Sequence, residues 1–196
     1  MTLSLITTAS SFSSVGHGAG YIDSTNNYFL TVATNNNFRR FNIATGAQVG
    51  TDIAVTSGAQ ACTLITPSSA LVLTTGTFHD FIELSTGYRQ AVSGGSNSTV
   101  STFNPLTGAN SLGYQMTATD GAGTVLYLRS VNTSLGKVAS SGQTFSNVVV
   151  QQSLGATFTS IIYKGSGRYL VGDNYGRVYE IDSSGNLYKS LIVPLG

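Results

Sequence analysis

Apolar residues in this chain come in short runs, of which "YFLTVAT", "ALVLTT", "TVLYLRS" and "YLVGDN" are the clearest, each bounded by Gly, Asn or Ser. Runs of about four to eight residues rich in Val, Ile, Leu, Thr, Tyr and Phe, punctuated in this way, predict β-strands. No segment keeps a helical period, so the expected fold class is all-β. The four runs alternate little between apolar and polar, which is the pattern of strands covered on both faces.

The runs belong to a repeat. Four units align: "GYIDSTNNYFLTVATNNNFRRFNIATGAQV", "TLITPSSALVLTTGTFHDFIELSTGYRQAV", "MTATDGAGTVLYLRSVNTSLGKVASSGQTFSNVV" and "SIIYKGSGRYLVGDNYGRVYEIDSSGNLYKSLI". Each reads as four strands joined by short polar turns. The last turn of each carries a glycine (Gly46, Gly87, Gly142, Gly185), as tight hairpin turns with a residue at positive φ require. The glycines are 41, 55 and 43 residues apart, and the long interval places an insertion at 93–110, which holds one further strand signal, "STVSTFNP". Four-stranded antiparallel units of about 40 to 50 residues are the signature of propeller blades. The expectation is a single β-propeller domain over 1–196 with about four four-stranded antiparallel blades, at roughly 14–55, 61–92, 113–152 and 157–194. An extra N-terminal strand at 2–9 is left over; it either adds to the last blade or pairs with a neighbouring chain.

In the fourth unit Gly176, Val178, Tyr179, Ile181, Asp182 and Gly185 fit the pattern Gly-x-aliphatic-Tyr-x-aliphatic-Asp-x-x-Gly, and "FNIATGAQVG" repeats its outline. The chain thereby resembles the β-propeller repeat proteins of the quinoprotein-like, YVTN and WD-repeat group over about four fifths of its length. What the resemblance implies is a blade architecture, not an activity. There is no tryptophan, so the tryptophan-docking blades and the Trp-Asp repeat ending of that group are missing, and no cofactor is expected.

Composition narrows the partners. Charged residues are 9% of the chain, against a usual share of about 25%, while apolar residues at 41% exclude disorder. With a net charge of +1 and scattered cations, neither nucleic acid nor an anionic membrane is an expected partner. Small neutral polar side chains must cover the surface instead. The first residues lack the basic and apolar regions of a secretory signal, and no run approaches about 18 apolar residues. Together these features predict a virion component made in a host cytoplasm, with an extracellular protein as the alternative. Cys62, the only cysteine, reads as a small buried apolar residue.

Candidate chemistry is sparse. His17 and His79 fall at different blade positions without metal-ligand spacing and read as edge or solvated residues. The glycine-rich "GHGAG" lacks the following helix that a phosphate loop needs. Asp23, Asp120, Asp173 and Asp182 fall in or beside turns, where Asp bonds its own backbone. Arg39 and Arg40 are neighbours on a strand and must point to opposite faces. Asn97 and Asn132 begin glycosylation sequons, relevant only to an exported chain. No catalytic, cofactor-binding or metal-binding residue is therefore named. Partner-binding residues are expected on the leftover strand (Leu3, Leu5, Thr7) and in the insertion (Asn97, Thr99, Phe103, Asn104). The function expected is a non-enzymatic structural or adhesive module, such as a capsid decoration, fibre or tail protein. It would bind protein subunits of a larger assembly, including further copies of itself. The alternative is a glycan-binding propeller lectin, with an enzyme using the rim ranked third.

Overall fold

A computed structural model describes residues 21–32, 35–94, 117–129, 134–151 and 155–192. The extra strand at 2–9, most of the insertion, His17 and the Asn132 sequon lie outside them.

Among the described residues sixteen strands make four antiparallel sheets, each strand pairing with its neighbour in sequence. Sheet one holds β1 (Tyr21–Asp23), β2 (Tyr28–Val32), β3 (Asn37–Asn42) and β4 (Ile53–Ala54). Sheet two holds β5 (Ala59–Thr66), β6 (Ser69–Thr74), β7 (Phe78–Glu83) and β8 (Arg89–Ser93). Sheet three holds β9 (Thr117–Thr119), β10 (Thr124–Leu128), β11 (Leu135–Ala139) and β12 (Thr144–Val148). Sheet four holds β13 (Phe158–Gly165), β14 (Arg168–Asp173), β15 (Arg177–Asp182) and β16 (Leu187–Ile192).

The sheets stack face to face in chain order, and the second strands show why their sequences look as they do. In β6, Ala70 and Val72 enter the core shared with sheet one, while Leu71 and Leu73 enter the core shared with sheet three. In β10, Val125 and Tyr127 face sheet two, and Leu126 and Leu128 face sheet four. From Ala70 to Leu73 and from Val125 to Leu128 the two strands are thus apolar at every position, and each Leu or Val so buried contributes about 1.5 to 3 kcal/mol. The fourth unit departs from that expectation. Tyr169 and Val171 of β14 are buried against sheet three, but Leu170 and Gly172 on its other face are only half-buried. Three apolar cores join the four sheets, and among the described residues sheet four has one packed neighbour rather than two.

The first strands line the axis. Tyr21 of β1, Thr117–Thr119 of β9 and Ile161, Ile162 and Tyr163 of β13 line an open pocket of about 410 Å³. The turn glycines Gly46, Gly87 and Gly185 have φ of +67°, +72° and +87°, the left-handed region that glycine enters without penalty. In the third sheet the matching connection is a 3-10 turn, Ser141–Gln143, and there the non-glycine Gln143 has φ +49°.

Candidate interaction surface

Four of the eight carboxylates are committed to holding turns. Each of the four turn aspartates accepts two backbone N–H groups on one oxygen: Asp23 from Thr25 and Asn26, Asp120 from Ala122 and Thr124, Asp173 from Tyr175 and Arg177, Asp182 from Ser184 and Asn186. These are the local bonds that favour Asp in turns. Asp173 also receives Arg177 Nε at 2.7 Å and the Tyr179 hydroxyl at 2.9 Å. Burial alone would push its carboxyl up, but these hydrogen bonds outweigh it and hold the group below the usual carboxylate range. Asp80 is buried and paired with Arg89 at 2.7 Å, and it accepts the Thr56 N–H at 2.6 Å, tying the connection between sheets one and two to β7. Arg39 and Arg40 do fall on opposite faces: Arg39 pairs with Asp52, and Arg40 donates to the Leu84 carbonyl of sheet two at 2.6 Å. Cys62 is buried, and burial pushes its thiol up to about 12. Among the described residues no group of three His, Cys, Asp or Glu is placed to hold a metal ion.

His79 corrects the sequence reading. It is neither an edge nor a solvated residue: it is fully buried, its ring stacks on Phe145 of sheet three with centroids 4.8 Å apart, and its Nδ1 accepts the Thr74 N–H at 3.1 Å. A period-2 reading of "FHDFIE" could not show this, because the cover comes from the next sheet. Burial lowers the His79 pKa to about 4, against the opposing pull of Asp80. As pH falls from about 6.5 to about 4, the unfolded chain takes up a proton here that the folded chain refuses, so stability falls by about 1.4 kcal/mol per pH unit. Asp173 adds loss of the same sign only below about pH 4. Urea unfolding is therefore expected to give wild type about 2 kcal/mol less stability at pH 5 than at pH 7. His79→Asn, which keeps an acceptor for Thr74, should flatten that difference.

Among the described residues two surfaces combine exposed apolar side chains with polar groups. One is the face of sheet four turned away from sheet three, where register aligns Ile162, Leu170, Glu180 and Lys189 in one row and Ser160, Gly172, Val178 and Leu191 in the next. Ile162 is 58% and Leu191 52% exposed, and the Lys164 to Glu180 pair at 2.8 Å borders them. The corresponding face of sheet one differs, for Phe41 and Thr31 there are each only 3% exposed. The second surface is a groove of about 180 Å³ between sheets two and three, beside Tyr88.

The partner-binding residues named from sequence (Leu3, Leu5, Thr7, Asn97, Thr99, Phe103 and Asn104) lie outside the described residues. Sequence reasoning missed Ile162, Leu191, Tyr88 and Gln143. For Ile162 a signal existed, since "SIIYKG" sets an isoleucine beside another in a strand whose neighbours alternate.

No family model and no curated protein matches this sequence. Among solved structures it is similar to the Cps50 (Swd1) β-propeller domain of Myceliophteria thermophila, with a TM-score of 0.61, 13% identity and 91% of this chain covered. The fold is therefore an all-β propeller with four four-stranded antiparallel blades. The match spans 56% of that domain's chain.

Proposed function

We propose that this chain is a non-enzymatic structural or adhesive propeller domain that docks onto neighbouring protein subunits. The reading is of a component of a larger assembly, and of a virion component such as a capsid decoration, fibre or tail protein in preference to a free extracellular protein. The single observation that carries it is the unpacked apolar flank of sheet four. A blade buries its faces only by having a neighbour on each side, and the Ile162 and Leu191 rows expose apolar side chains that the same rows of sheets two and three bury. The sparse charge and neutral polar surface support docking by shape and hydrogen bonding rather than by electrostatic steering. The use of carboxylates as turn braces supports a structural role over a catalytic one.

Size-exclusion chromatography with light scattering, and a density map of the native assembly, test the reading. We expect a defined oligomer or particle in which sheet four's flank is covered. Ile162→Lys with Leu191→Asp should abolish association while changing monomer stability by no more than about 0.5 kcal/mol, as for other exposed sites. A monomer at all concentrations that joins no particle would remove the proposal.

A further inference from the structure

The groove between sheets two and three carries features that subunit docking does not use. Its floor is Phe81, nearly buried, and one wall is the ring of Tyr88, 62% exposed. Across the junction the Gln143 side-chain amide of sheet three donates to Gln90 Oε1 of β8 at 3.1 Å. Whichever way the two amides are turned, the pair leaves one NH2 group and one carbonyl oxygen for a third molecule. Glu83 lies beside them with one carboxylate oxygen held by the Thr86 hydroxyl at 2.6 Å, and Ser140 completes the lining. Gln143 sits at φ +49° in the turn between β11 and β12, and its amide meets Gln90 from there.

We infer that this groove is a binding site for a neutral sugar, one pyranose ring deep. An exposed tyrosine face suits the C–H side of such a ring. The mixed donors and acceptors around it suit vicinal hydroxyls, each of which both donates and accepts. Among the lining side chains the only charge is the carboxylate of Glu83, which repels phosphates and acidic sugars. The volume, about 180 Å³, is below the roughly 300 to 1,000 Å³ of sites that enclose drug-sized ligands and fits a single ring. The inference stands apart from the docking reading, since the groove lies between sheets two and three and shares no residue with sheet four's flank.

The test is a nitrogen-15 NMR titration of the full chain with D-glucose, D-galactose, D-mannose and N-acetyl-D-glucosamine, with N-acetylneuraminic acid as the anionic control. A saturable shift of the Gln90 and Gln143 side-chain amides is expected with at least one neutral sugar, at a Kd on the order of 1 mM. Tyr88→Phe should bind as wild type, and Tyr88→Ala about tenfold more weakly. Gln143→Gly, whose backbone suits this φ, should keep the melting temperature and lose the affinity. The flank variant Ile162→Lys should bind sugar unchanged, so failure of docking and failure of sugar binding can be told apart. Absence of any saturable shift, preference for the anionic sugar, or unaltered binding by Tyr88→Ala would each overturn the inference.

Discussion

Gly136→Ala is expected to lower stability by about 2 to 3 kcal/mol, or roughly 5 to 10 °C in melting temperature for a domain of this size. Gly136 pairs with Tyr127 across β10 and β11, and the tyrosine ring lies flat over it. A Cβ at Gly136 would sit within that ring, against Cζ, Cε1 and Cε2. The ring cannot yield easily, because Tyr127 is 1% exposed and wedged among the residues that join sheets two and three. Relief would require an off-rotamer side chain or a shift of one sheet against the other, and a close-packed interior resists both. The check is a double-mutant cycle. Tyr127→Leu should be costly alone, yet adding Gly136→Ala to it should cost far less than in wild type, giving a coupling of about 1 kcal/mol or more. Additive effects would show that the ring does not constrain the glycine.

A second large effect is expected from Gly185→Ala, at about 3 kcal/mol. Two terms combine. The residue has φ +87°, where an L side chain costs about 1 to 2 kcal/mol. A Cβ there would also press on the Val149 carbonyl oxygen and come within 2.9 Å of Val148 Cγ1. Val148 ends β12 and Val149 opens the connection leaving sheet three, so the turn is packed against another sheet's backbone, which has little freedom to move. Gly87 provides the control. Its φ is +72°, but the nearest atom to a new Cβ is Ile53 Cδ1 at 3.4 Å, an ordinary contact. Gly87→Ala should therefore cost only the conformational term, about 1 to 2 kcal/mol, and urea titrations of the two variants should separate by more than 1 kcal/mol. Equal losses would mean that the Val149 contact is not what makes Gly185 special.

The two glycines mark how far the sequence could be read. Gly185 is legible as a turn glycine, because its hairpin repeats in the other units; its contact with Val149 is not, because it depends on which sheet lies alongside. Gly136 gives no local signal at all, since its reason is a ring on the opposite strand. Continuous apolar runs such as "ALVLTT" disclose sheets covered on both sides, and the alternating burial of β14 follows from its having one packed neighbour among the described residues, which "YLVGDN" does not encode. His79 fails for a related reason: the Phe145 that covers it is 66 positions further along. The candidate site was the least legible part. Tyr88 and Gln143 lie on different sheets and meet only through stacking, and the residues named for docking lie outside the described structure.

Because every described strand pairs with the one before or after it in the chain, hairpin closure spans short loops whose entropic cost is small. Such local pairing favours quick formation of each sheet, so a growing chain can complete one before the next has left the ribosome. Only the stacking step needs distant segments to meet. Sheet four's outer side, which no other described sheet covers, would then stay wet until a separate encounter closes it, making that late event the slow and concentration-dependent one.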